Sequence, residues 1–290
     1  MTDVPTAQGD SVKIISAGKS DVGRVRSENQ DSWFASDDSG LYAVADGMGG
    51  LSGGRQASET AIECVRAWEE GNRKPKDDRD PAAEPSIPGI IGSLKRLVAT
   101  ANHEIKQVSV SDSADAQMGT TLVILLLNES GYFVENVGDS RAYLIRQGSI
   151  QRLTRDHSLV QIMADEGLVD DAAMRDHPKR NILTRHLGHG SDAVSDSFYG
   201  VAQTGDVFLL ASDGITMHFS DQELLDLIDS AADPAACVER LVHAANEAGG
   251  EDNATAALVR VCKASERQIA GMTVVRAEDP EAGRGKEKRT

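Results

Sequence analysis

Three apolar segments follow one another between residues 121 and 146 with almost nothing between them. They are TLVILLL (121–127), YFVENV (132–137) and RAYLIR (141–146). Glu129-Ser130-Gly131 links the first pair, Gly138-Asp139-Ser140 the second, and Gln147-Gly148-Ser149 follows the third. Links this short join antiparallel neighbours, because a parallel pair needs a crossover of a dozen residues or more. Further runs rich in β-branched and aromatic residues and bounded by turn formers are VKIISA (12–17), DSWFAS (31–36), LYAVAD (41–46), SFYGVA (197–202), DVFLLAS (206–212) and TAALVRV (255–261). Nine such strands, clustered rather than alternating strictly with helices, predict an α+β layer fold. The expectation is two mostly antiparallel sheets with helices outside.

The helices have their own signal. Residues 55–69 bring Ala57, Ala61, Cys64, Val65 and Trp68 to one face, and residues 90–108 do the same for Leu94, Leu97, Val98, Ala101 and Ile105. Between them, 70–89 holds four prolines and many charges and reads as a surface excursion. Asp221 opens another amphipathic segment. Asp233-Pro234 opens a last one, with Asp233 suited to the N-cap and Pro234 to the first helical position. Residues 1–11 and 263–290 are polar and are expected to be flexible ends of a domain spanning 12–262.

Composition removes several function classes. Hydrophobic residues make up 40% of the 290, enough for a sizeable core. The formal net charge is −16, the opposite of what a phosphate-backbone or membrane-surface binder requires, and aromatics at 4% supply no base-stacking platform. The longest apolar run, Leu122 to Leu127, is far below the ~20 residues that span a bilayer. The first residues show neither a basic nor an apolar signal region. Three scattered cysteines fit a reducing compartment, so a cytoplasmic protein is expected. A cysteine-dependent phosphatase would need Arg six residues after its Cys. Those positions are Glu70, His243 and Gln268. Gly50-Leu51-Ser52-Gly53-Gly54 matches the serine-hydrolase elbow, but the preceding strand ends near Asp46, too early for that turn.

Four aspartates stand at strand ends beside small residues: Asp46 before Gly-Met-Gly-Gly, Asp139 in VGDSR, Asp213 before Gly214, and Asp252 in GGEDN. Carboxylates brought together repel and need cations. Oxygen ligands without a Cys or His cluster favour Mg2+ or Mn2+ over Zn2+. The main-chain carbonyl of Gly47 is free to join them. Taken singly, each aspartate also fits an ordinary turn or cap, and spacing alone does not exclude that for the set. Arg24 and Arg26 flank this stretch with forks suited to phosphate oxygens or to a surface ion pair.

Eight segments in order carry a resemblance: VGRVRSENQDSW (22–33), LYAVADGMGG (41–50), MGTTLVILLL (118–127), NVGDSRAYL (136–144), LTRDHSLV (153–160), HPKRNILTRHLG (177–188), DVFLLASDG (206–214) and GGEDNATAALV (249–259). Together they resemble the PPM family of metal-dependent protein serine/threonine phosphatases, also called type 2C, in its compact bacterial form. The resemblance implies a central β-sandwich flanked by helix pairs, with a flap at about 158–190 beside the cleft. It implies that Asp46 bridges two Mn2+ or Mg2+ ions, that the Gly47 carbonyl completes the second site, and that Asp213 and Asp252 hold the first. Asp139, with Asp213, matches a third ion's site. Arg26 matches the arginine that grips the substrate phosphate, Asp31 the carboxylate that holds water, and Asn253 the residue that buttresses Asp252.

The implied chemistry is a hydroxide bridging two metals and attacking phosphorus in line. The implied substrates are phosphoserine and phosphothreonine proteins, opposite a bacterial Ser/Thr kinase. The chain is expected to act as a monomer, with no nucleic acid and no membrane span. Met48 stands where larger members carry a histidine, which leaves the proton donor open between a water on the third ion and His157. Two rival readings keep the same fold: a binding module without catalysis, and an enzyme acting on a small phosphorylated metabolite.

Overall fold

The computed structural model describes residues 12–49, 53–73, 86–112, 118–190, 193–229 and 233–263. The expected flexible N-terminus, the glycine-serine match at 50–54 in its Gly50–Ser52 part, the middle of the 70–89 excursion and residues 264–290 of the tail lie outside these.

The chain runs through β1 (Val12–Asp21), β2 (Asp31–Ser36), β3 (Leu41–Gly49), α1 (Gly53–Arg73), α2 (Ile87–Asp112), β4 (Met118–Thr120), β5 (Leu122–Asn128), β6 (Gly131–Val137), β7 (Arg141–Arg146) and β8 (Ser149–Arg152). It continues through α3 (Leu159–Asp165), α4 (Asp171–Asp176), β9 (Asp196–Gly200), β10 (Val207–Ala211), α5 (Asp213–Thr216), α6 (Asp221–Asp229), α7 (Pro234–Glu247) and β11 (Ala254–Lys263). One sheet has the order β1-β11-β10-β7-β8, the other β2-β3-β5-β6-β9 with β4 added beside β3. Every pairing is antiparallel.

The period of two along the strands explains the layers. In β5, Leu122, Ile124 and Leu126 pack under α1 and α2, while Val123, Leu125 and Leu127 turn to the other sheet. In β10, Val207, Leu209 and Ala211 pack with α6 and α7, while Phe208 and Leu210 face inward. Both faces of these strands are covered, so they read as unbroken apolar runs. The result is the expected helix–sheet–sheet–helix sandwich.

Several boundaries differ from expectation. α1 continues through residues 70–73 and α2 begins at Ile87, so the excursion is shorter than its charged composition indicated. β11 extends to Lys263, which pairs with Val12, so the tail begins one residue later. β4, β8, α3, α4 and α5 were not anticipated. Asp233 does cap α7, its side chain accepting from the Ala235 N–H at 3.4 Å, with Pro234 following.

Candidate active site

The ends of β3, β6 and β10 and the start of β11 meet at one edge of the sandwich. They deliver the four aspartates to one cleft of about 950 Å³, lined among others by Arg26, Asp46, Gly47, Asp139, Asp213, Asp252 and Asn253. Asp46 ends the apolar part of β3, Asp139 sits in the turn from β6 to β7, Asp213 opens α5 directly after β10, and Asp252 precedes β11. Asp31 lies beside Asp46 in the β2–β3 register, buried beneath the cleft floor.

The backbone that aims these groups is held by hydroxyls. Thr121 accepts the Asp46 N–H at 2.9 Å, and its own N–H bonds the Asp46 carbonyl at 2.9 Å. Thr120 Oγ1 donates to the same carbonyl at 2.8 Å, and Thr121 Oγ1 meets Ser140 Oγ at 2.7 Å. Asp31 Oδ2 accepts from Ser212 Oγ at 2.8 Å and Thr255 Oγ1 at 2.6 Å. Asn253 Oδ1 accepts the Gln30 N–H at 2.8 Å, and its amide donates to the carbonyls of Val22 at 2.8 Å and Glu28 at 3.0 Å. That amide fixes the loop carrying Arg26, while the Asn253 N–H itself donates to Asp252 Oδ1 at 2.8 Å. Gly47 has no room for a side chain, because a Cβ there would collide with the carbonyls of Gly54 and Gln30. Its own carbonyl belongs to a strand end on the cleft wall.

Electrostatics mark the cleft as short of positive charge. Burial, then the charges of Asp31, Asp213 and Asp139, push the Asp46 carboxyl well above the usual carboxylate range. Burial, then Asp213 and Asp156, do the same for Asp139, and burial and Asp252 raise Asp213. Burial pushes Asp31 up to about 7 against the pull of its two hydroxyl donors. Asp31 Oδ1 and Asp213 Oδ1 are buried without a hydrogen-bond partner. Arg26 compensates Asp252, its Nη2 donating to Oδ2 at 2.6 Å, and the charge of Arg141 works against the rise at Asp139 and Asp213.

Among the described residues, no three His, Cys, Asp or Glu side chains are drawn close enough to hold a metal ion as they stand. The donor set still fits hard divalent ions. It offers carboxylates and a carbonyl, unpaired buried oxygens, and acids held above their ordinary range.

His157 does not join the cleft. It is buried, its Nδ1 accepts the Gly138 N–H at 3.1 Å, and its Nε2 lies 3.2 Å from Asp196 Oδ2. It braces the turn that carries Asp139. The hydroxyls of Thr121, Ser212 and Thr255, and the cleft-lining Asn181 and His186, were not singled out from the sequence. Ser212 adjoins Asp213 and Thr255 lies three residues after Asp252, which is the signal that could have found them, while Thr121 stands in the MGTT segment with no aspartate nearby in sequence.

Comparison with known proteins identifies the fold and the family. The serine/threonine phosphatase stp of Listeria monocytogenes is 34% identical over 245 residues, covering 83% of this chain and 93% of that protein. The crystal structure of the PPM Ser-Thr phosphatase MsPP from Mycobacterium smegmatis, in complex with cacodylate, superposes with a TM-score of 0.71 at 33% identity, covering 85% of this chain and 97% of that one. The catalytic domain of the phosphatase PstP, in complex with two manganese ions, gives 0.73 at 30% identity, covering 87% and 100%. The protein phosphatase 2C family matches residues 22–261, and with its sandwich and its edge cleft the chain belongs to that family of protein phosphatases.

Proposed function

We propose that this chain hydrolyses phosphoserine and phosphothreonine in proteins, with Asp46, the Gly47 carbonyl, Asp213 and Asp252 holding two Mn2+ or Mg2+ ions and Asp139, with Asp213, a third. The observation that carries this is the convergence of four carboxylates, from both sheets, on one cleft, where burial and neighbouring carboxylates hold Asp46, Asp139 and Asp213 above their ordinary range. When bound, the ions supply positive charge to the phosphoryl group and acidify the attacking water.

The chain's own residues do the rest. Arg26 stands at the cleft mouth with its guanidinium on Asp252. Once Asp252 is neutralised otherwise, the planar fork of Arg26 is free to take two phosphoryl oxygens. Asn253 keeps the Arg26 loop and Asp252 in register. Asp31, with Oδ2 locked by two hydroxyls, keeps Oδ1 for orienting water.

The catalytic unit is taken as residues 12–262, with 158–190 as a flap. Its substrates would be phosphoproteins, including those of a Ser/Thr kinase that it opposes. It would act as a monomer in the cytoplasm, in keeping with three cysteines that form no disulfide. Among the described residues no helix is long and apolar enough to cross a membrane.

The test is hydrolysis of p-nitrophenyl phosphate and of a phosphothreonine peptide with Mn2+, with EDTA, and in Asp213→Asn. Turnover that requires Mn2+ and falls to background in the other two supports the reading. Folded protein with no turnover in Mn2+ or Mg2+ would sink it.

A further inference from the structure

We propose that His186 protonates the serine or threonine oxygen as it leaves phosphorus. The inference deepens the phosphatase reading and rests on it. An alkoxide is a strong base, and its departure near neutral pH calls for a positioned proton donor. Few groups lining the cleft can serve. Arg26 holds its proton permanently. Thr121 is occupied by Asp46 and Ser140. The four aspartates are the proposed cation ligands, the Glu28 carboxyl is held below its ordinary range by its bonds to Gln30 and Arg55, and Met48 has no proton to give. His186 is the imidazole that lines the cleft. His157 is buried against Gly138 and Asp196, and so is otherwise engaged.

Strand pairing explains how a residue 138 positions after Met48 reaches the same wall. β4 lies beside β3 with Gly119 opposite Met48. On the far side of β4, Leu187 bridges Thr120 through bonds of 2.9 and 3.2 Å, and the Gly188 N–H donates to Asn102 Oδ1 at 2.9 Å. The His186 ring lies over Gly119, where a Cβ would come within 2.6 Å of Nδ1. The imidazole is thus seated on a glycine of β4, the strand paired with the Gly47–Gly49 end of β3. Its Nδ1–H donates to the Leu187 carbonyl at 3.0 Å, which leaves Nε2 for proton exchange.

The charged groups sharing its cavity are Arg26, Glu28 and the four cleft aspartates. His189 stacks on the ring at 5.7 Å, and the α2 residues packed against Gly188, Asn102 and Ile105, are not ionisable. In the step, a water oxygen forms the new bond to phosphorus. The P–O bond to serine or threonine breaks with its electron pair on that oxygen, and the Nε2 proton of the imidazolium moves to it. The products are the free hydroxyl and inorganic phosphate, and the imidazole regains a proton from solvent.

The test compares His186→Gln with the unsubstituted chain, in Mn2+, on a phosphothreonine peptide and on aryl phosphates of graded leaving-group basicity. p-Nitrophenolate leaves without needing a proton. The expected result is a kcat loss of about 100-fold or more on the peptide and less than about tenfold on p-nitrophenyl phosphate. The dependence on leaving-group basicity should steepen. His186→Asn is a second, smaller variant, and the thermal midpoint shows that each is folded. Equal losses on both substrates in a folded variant, or no loss on either, overturn the proposal. Absence of Mn2+-dependent turnover in the unsubstituted chain would instead count against the phosphatase reading itself.

Discussion

The side-chain amide of Asn253 makes three bonds, to the Gln30 N–H and to the carbonyls of Val22 and Glu28, and it is buried. Removing it takes a bond from three backbone groups of a loop that is exposed or half-buried. Asn253→Ala should therefore cost about 1–2 kcal/mol, since water partly replaces the lost bonds and a typical hydrogen bond contributes about 0.5–1.5 kcal/mol net. The same variant lets the loop bearing Arg26 drift, so KM for a phosphopeptide should rise. Urea unfolding and steady-state kinetics measure the two effects. An unchanged urea midpoint would mean that solvent replaces the amide, and that the loop is held by other contacts.

At the scale of elements, the helices outside the sheets stabilise the frame without touching the chemistry. Leu241 on α7 is fully buried against the sheet that carries β10 and β11. Leu241→Ala should lower stability by about 2–5 kcal/mol through the cavity it opens. KM should stay as it was, since α7 packs on the sheet's outer face. A thermal melt and a KM measurement check this, and a large rise in KM would show that the helix sets cleft geometry.

The strands and helices that bury two faces or a broad stripe were legible in the sequence, because burial writes a period into the residues. β5, β6, β7 and α2 all announced themselves in that way. β8 did not, since Ser149–Arg152 is an edge strand with alternate residues exposed. α5 is a single turn and β4 only three residues, too short to show any period. The four aspartates and Arg26 were legible through motifs. The hydroxyls of Thr121, Ser212 and Thr255 look like any strand residue until the sheets are assembled. His186 was illegible because its place depends on the Thr120–Leu187 bridge, which no local pattern encodes.

At the scale of the whole molecule, the cleft is a reservoir of protons in the metal-free chain. Asp31, held up to about 7, and Asp46, Asp139 and Asp213, held above their ordinary range, bind more protons in the fold than in the unfolded chain. Their contribution to stability is complete below about pH 4 and is lost as pH rises, through about 7 for Asp31. In EDTA, the thermal midpoint should fall by several degrees between pH 5 and pH 8. Asp31→Asn should flatten that slope, and saturating Mn2+ should reduce it and raise the midpoint at pH 8, as any ligand specific to the fold does. Differential scanning calorimetry across this range tests it, and a midpoint that climbs from pH 5 to pH 8 in EDTA would refute it. The two sheets also contribute to the cleft equally. Asp46 and Asp31 come from one, Asp213 and Asp252 from the other, and Asp139 from the turn that passes between them. On the proposed ligand set, catalysis is a coincidence detector for folding. A chain with only one sheet formed would hold half a site and hydrolyse nothing, so appearance of turnover during refolding should time the closure of the sandwich rather than the formation of either sheet.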